Sequence, residues 1–277
     1  MTTLNSVKSI TSLALILILS ASISACSSSG KKTRSLEQLA QQQVQDLYNR
    51  GKKAMDRGNY AFAIDYYRAL EASYPYGELT EQAKLDMIFA FDKSGQADKA
   101  VEMADNFISL YPTHNNVDYA YYMKGVANFE KKAGRFDRFI KGGSKSIRDP
   151  KSYRDSEEAF VELVERYPES VYTEDAKQRL VYIRNSLAER ELAVANFYYD
   201  NATYVAALSR AKTVVYQYET TPSIEGALVL MEKTYTQMGM TDLAASTREV
   251  LLENFPENKS KPARVKKKSL LGRLNPF

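Results

Sequence analysis

The chain carries one sulfhydryl and one imidazole, Cys26 and His114, among 277 residues. A lone cysteine cannot close a disulfide within the chain, and the two residues are too few for a Cys/His metal site. The same counts remove most nucleophile–imidazole catalysis. Carboxylates are plentiful, with 34 Asp and Glu, but no two of them stand out as a paired acid and base, and no Gly-rich phosphate loop appears. The sequence therefore predicts neither an enzyme nor a cofactor.

Cys26 has a different chemistry open to it. It follows Lys8, the apolar run Leu13–Leu19 and the small residues of Ile23-Ser24-Ala25. The run is too short to span a bilayer as a stable helix, and the ISAC stretch looks like a bacterial lipobox. There the cysteine sulfur is the nucleophile that accepts a diacylglyceryl group. Residues 1–25 are then a lipoprotein signal peptide, and acyl chains on Cys26 anchor the mature protein at about 0.8 kcal/mol per buried CH₂. Ser27, in place of Asp, resembles the outer-membrane class of lipoproteins. The polar stretch that follows predicts a flexible tether over 26–34.

The elements that position everything else come from a repeat. Residues 57–75, RGNYAFAIDYYRALEASYP, read as the second half of a two-helix unit. Gly58 and Asn59 turn the chain, and Tyr60, Ala63, Ile64, Tyr67 and Leu70 then recur on one helical face. Pro75 stops the helix, because it lacks an N–H and disfavours helix at the residue before it. The pattern returns 37 residues later, with Ala100 matching Ala63 and Pro112 matching Pro75. It returns again at Ala207 and Ala244, closing at Pro256. A fixed period in the thirties predicts a helical array, here an all-α solenoid of about five tetratricopeptide repeats.

Repeat 1 is expected as helices at about 36–56 and 60–73, and repeat 2 at about 78–93 and 97–110. Repeat 3 starts in register, with Gly125 matching Gly51, but its second helix arrives late, at Ser156, Phe160, Leu163 and Pro168. The intervening insertion, 131–154, carries nine Lys/Arg against two Asp. Thr173 to Asp200 has no Pro or Gly and keeps an apolar stripe through Leu180, Ile183, Leu187, Val194 and Tyr198. It predicts one long helix. Repeats 4 and 5 follow, so that 35–130 and 155–258 form the folded parts. The tail 259–277 has seven Lys/Arg and no acid and predicts disorder in isolation.

The lipobox, the five repeats with their YP closures, the late second helix of repeat 3 and the overlong helix before TYVAALSRAKTV together resemble the BamD (ComL) family. These are lipoprotein subunits of the outer-membrane β-barrel assembly machinery, and the resemblance covers about residues 15–256. It implies a lipid-anchored protein on the periplasmic face of the outer membrane. It also implies binding to the POTRA region of the barrel subunit BamA, to other Bam lipoproteins and to unfolded outer-membrane proteins, with no nucleic acid. The competing reading is a generic periplasmic tetratricopeptide lipoprotein that coordinates cell-wall or division factors.

The resemblance also points to residues. In the family a basic residue of the fourth repeat approaches an acidic patch of the POTRA region. Its match lies within ALSR, which nominates Arg210, with Tyr204 as aromatic neighbour and Arg184 on the long helix. Repeat positions expected to line the concave face give Tyr48, Lys52 and Met55, then Leu85 and Phe89, then Tyr119, Tyr122 and Phe129. Such a groove suits the C-terminal segment of a barrel protein, with Lys52 available to its carboxylate. Packing between repeats is the competing role for every one of these aromatics.

Overall fold

A computed structural model describes residues 27–130 and 150–257. The expectations for Cys26 and the leader before it, for most of the basic insertion and for the tail lie outside the described residues. Every element within them is an α-helix, and the array of helix pairs is an all-α repeat fold. Contacts divide the chain into two compact units between Ser94 and Gly95.

The first unit holds α1 (Ser27–Asp56), α2 (Tyr60–Ser73) and α3 (Glu78–Lys93). The backbone of α1 is helical from Ser27, so the helix starts inside the stretch expected as a tether. SSSGKK contains no proline, and a helix already nucleated extends at one hydrogen bond per residue fixed. Gly51 is what lets α1 and α2 meet. A Cβ at this position would lie 2.4 Å from Cε1 of Tyr67, which is itself fully buried. Asp86 of α3 accepts the Tyr67 hydroxyl at 3.0 Å, and the buried Lys84 of α3 pairs with Glu71 of α2.

The second unit holds α4 (Ala97–Leu110), α5 (Val117–Glu130), α6 (Pro150–Arg166), α7 (Thr173–Asp200), α8 (Tyr204–Gln217), α9 (Ser223–Gln237) and α10 (Thr241–Asn254). Residues 150–154, expected to end the insertion, are the first turn of α6. Proline suits that first position, where its missing N–H has no partner to lose and its φ is already helical. The α5–α6 pair repeats the contact made in the first unit. A Cβ on Gly125 would lie 2.5 Å from Cε1 of the buried Phe160, and the Ser156 hydroxyl donates to the Gly125 carbonyl at 2.8 Å. Repeat 5 replaces this steric device. In register with Gly51 and Tyr67 it has Glu232 and Arg248, and Arg248 Nη1 donates to Glu232 Oε2 at 3.3 Å.

Two turn devices recur across the units. Gly58, Gly95 and Gly239 take φ of 71°, 78° and 74° at the turn inside a pair, and in repeat 4 Ala202 takes the same place at 59°. At the exits an aromatic closes each second helix. The backbone N–H of Tyr74, Tyr111, Tyr167, Tyr218 or Phe255 donates to the carbonyl four residues earlier, at 2.8–3.1 Å. Proline follows four of the five and cannot continue the ladder.

Helix α7 is continuous over 28 residues, about 42 Å at 1.5 Å per residue. Its buried line runs Ile183, Leu187, Glu191, Ala195 rather than through Val194 and Tyr198, which are half-buried. The four-residue steps put a carboxylate in the middle of an apolar stripe.

Candidate functional site

Glu191 is one helical turn from Leu187 and one from Ala195, and a carboxylate on that line is costly unless it is paired. Arg210 Nη1 of α8 donates to its Oε2 at 2.9 Å, and Nη2 of Arg154 on α6 lies 3.8 Å from its Oε1. The acid is 7% exposed, while the two arginine side chains are 45% and 58% exposed. The anion is therefore inside and the cations face outward. Further along the same helices, Arg184 Nε of α7 donates to Glu157 Oε1 of α6 at 2.8 Å. The seam of α6, α7 and α8 thus joins three arginines to two glutamates. Tyr218, at the exit of α8, lies beside it. Burial raises the Tyr218 phenol above its usual pKa, and the charge of Glu157 adds to this.

Tyr204 stands apart from that seam. It opens α8 and packs on Tyr199 with ring centres 5.7 Å apart. Six helical residues turn it about 120° away from Arg210.

The three residues nominated on α5 lie in one aromatic layer with α6 and α7. Tyr122 stacks on Tyr172 at 4.8 Å and 19°, and its hydroxyl donates to Asp175 Oδ2 at 2.8 Å. Tyr119 meets the same Tyr172 ring at 5.5 Å. Phe129 packs on Tyr153 and Tyr182 at 5.5 and 5.7 Å. Arg179 bridges the layer: it lies over the rings of Tyr122 and Phe129 and donates to Asp175 at 2.5 Å. Burial raises the phenol of Tyr122, as does its bond to Asp175. Each of these rings already fastens helices together, yet all three nominated residues stay half-buried and keep an outer edge.

In the first unit the nominated residues separate. Leu85 is 1% exposed and belongs to the core, so it offers nothing to a peptide. Its place in the repeat count predicted a surface, but α3 is covered on more than one side, with nine of its residues buried. The Tyr48 hydroxyl is spent on Asp86 Oδ2 at 3.1 Å, beside that of Tyr67, and burial with the Asp86 charge raises both phenols well above their usual pKa. Phe89 is half-buried, edge-on to Tyr60 at 6.1 Å, with Lys93 Nζ 5.4 Å from its ring centre. Lys52 is exposed and Met55 half-buried. His114 sits in a turn, its ring against Phe107 and its Nδ1 accepting the Asn116 N–H at 3.0 Å.

A model of the family described as YfiO, outer membrane lipoprotein, matches residues 40–251. The chain belongs to the YfiO family of outer membrane lipoproteins. This YfiO chain is 33% identical over 244 residues to the outer membrane protein assembly factor BamD of Neisseria meningitidis serogroup A, a match covering 88% of this chain and 91% of that protein. It is 35% identical over 242 residues to BamD of Xylella fastidiosa strain Temecula1, covering 84% and 80%. Among solved structures it is similar to MamA, at 17% identity and a TM-score of 0.40, over 80% of this chain and 98% of that one.

Three residues of the YfiO chain's charged seam, Arg154, Glu157 and Glu191, escape a sequence reading that starts from Arg210 and Arg184. Glu191 was detectable, since it interrupts the four-residue apolar spacing of Ile183, Leu187 and Ala195. Arg154 was not, because it falls at the end of a stretch that reads as a basic loop. No described helix is long and apolar enough to cross a membrane.

Proposed function

We propose that the chain is a non-catalytic scaffold of outer-membrane protein assembly, held at the periplasmic face of the outer membrane by acyl chains on Cys26. The observation that carries this is the identity of about a third, over most of both chains, to proteins named outer membrane protein assembly factors. Its second unit binds the POTRA region of the barrel subunit BamA through the α6–α7–α8 seam, with Arg210 as the leading contact and Arg184 beside it. Support comes from exposure and chemistry: the outer half of the Arg210 side chain is open, and an interface arginine can contribute about 2 kcal/mol or more through its planar fork. Other lipoproteins of the same machinery bind elsewhere on the array.

The substrate is the apolar–polar alternating C-terminal segment of an unfolded barrel protein. Phe89 with Lys93, and the layer of Tyr119, Tyr122 and Phe129 with Arg179, offer rings beside cations, the pairing that a terminal aromatic and its carboxylate would use. Tyr48, Lys52 and Met55 of α1 belong to the same first unit as Phe89.

The test is affinity purification of the tagged, membrane-extracted chain. The wild type co-purifies a large barrel protein, and Arg210→Glu loses it while the helical circular dichroism is unchanged. Full retention by Arg210→Glu removes the seam from the interface, and recovery of cell-wall factors in place of a barrel protein removes the assembly role. A photo-crosslinking peptide ending in Phe labels residues 48–129 in preference to 200–257. Equal labelling of both would leave the rings with packing alone.

A further inference from the structure

Pairing a buried carboxylate requires one arginine, and Glu191 has two. Its bond to Arg210 uses one of the five N–H donors of that guanidinium. Arg154, at 3.8 Å from the other oxygen, is beyond ordinary hydrogen-bond length and is the more exposed of the two. Three helices meet here: α6 brings Arg154, α7 brings Glu191 and α8 brings Arg210. The groups nearest this point are Glu157, which Arg184 pairs at 2.8 Å, and the Tyr218 phenol, an uncharged group that also takes a hydrogen bond from Arg154. The group of three therefore keeps an excess of one positive charge at the surface. Arg154 itself lines an open cavity of about 400 Å³, together with Glu157, Glu158, Glu162 and Tyr218. Those carboxylates disfavour an acidic ligand inside the cavity, and Arg210 does not line it.

We propose that Arg154 and Arg210 together form a receptor for one acidic side chain of the partner protein, and that Glu191 is the positioning residue that holds the two forks side by side. This rests on the reading that the seam meets the barrel subunit, and it adds a second contact residue and a positioning residue. A carboxylate has two oxygens and accepts a bidentate fork from either arginine. With Glu191 fixed between them, the two forks lose less side-chain freedom when the ligand arrives.

The experiment measures binding of the full-length chain to the purified periplasmic region of the barrel subunit, at several salt concentrations. Arg210→Ala tests the underlying reading, and unchanged affinity there overturns the seam as the interface. With that loss established, Arg154→Ala weakens binding about five- to tenfold and flattens the salt dependence, and Arg154→Ala/Arg210→Ala loses less than the product of the single losses. Arg154→Ala within twofold of wild type overturns the two-arginine receptor and leaves the Arg210 contact standing. Glu191→Gln separates positioning from plain attraction. Removing a negative charge would by itself tighten binding to an acidic partner, whereas loss of positioning weakens it about threefold or more. Tighter binding by Glu191→Gln overturns the positioning role. Helical circular dichroism checks the fold of each variant, and Arg154, being largely exposed, keeps the test decisive even where Glu191→Gln is unstable.

Discussion

Replacing Gly125 by alanine isolates the contact that holds α5 to α6 on either side of the long insertion. In an unconstrained helix interior the change stabilises by about 1 kcal/mol, because alanine is the better helix former. Here the new Cβ would lie 2.5 Å from Cε1 of Phe160, where carbon atoms prefer about 3.5–4.0 Å. The ring must withdraw by about 1 Å into a core in which Phe160 is 0% exposed, and such overpacking costs about 1–3 kcal/mol. The withdrawal also pulls Ser156 from the Gly125 carbonyl, a buried bond of 2.8 Å worth about 1 kcal/mol. The propensity gain offsets about 1 kcal/mol of this, leaving a net loss of about 1–3 kcal/mol. At roughly 2–4 °C per kcal/mol for a chain of this size, the Tm by circular dichroism falls by several degrees. Phe160→Leu in the same chain makes room and returns at least half of the loss. A Tm that rises in Gly125→Ala would show that helix propensity alone acts and that the close approach is not a constraint.

Four further outcomes follow from the same reasoning. Ala202→Gly removes a Cβ from a left-handed turn, φ 59°, and raises stability by about 0.5–1 kcal/mol in urea denaturation. Arg248→Ala leaves the mostly buried Glu232 carboxylate without this partner and costs about 1–3 kcal/mol, discounted from the fully buried case for partial exposure. Burial acts to raise the Asp175 pKa, but the bonds from Arg179 and Tyr122 outweigh it and hold the group below its usual value. A depressed carboxylate stabilises above its unfolded pKa of about 4 and loses that effect as pH falls through the folded value. Asp175→Asn is therefore less stable than wild type at pH 7, and the difference shrinks at pH 3. Cys26→Ser loses the acyl acceptor and leaves the membrane fraction, which detergent partitioning reads; unchanged partitioning would exclude the lipid anchor.

Local rules explain which parts were legible from sequence. The 37-residue period carried its turns and exits with it, because Gly58, Gly95, Ala202 and Gly239 answer the same backbone demand, as do the closing aromatics. The start of α1 was not legible, since SSSGKK has no apolar rhythm to mark a helix. Nor was the start of α6, because Pro150 reads as a breaker until it is known to be the first helical residue. Arg184 and Arg210 could be nominated singly, but their partners are Glu157 and Glu191, 27 and 19 residues away on other helices. Periodicity along one helix does not report pairing across three. Counting repeat positions placed Leu85 on a surface because it treats one face of a first helix as open, and α3 is too deeply covered for that.

The most direct test of the assembly role is to deplete the chain in its own cells and follow an abundant outer-membrane β-barrel protein by its heat-modifiable mobility. The account predicts that folded barrel protein falls while its unfolded form accumulates in the periplasm. Wild-type chain restores folding, and Arg210→Glu restores it less well. Undiminished folding of barrel proteins after depletion, with growth failing through the cell wall instead, would contradict it.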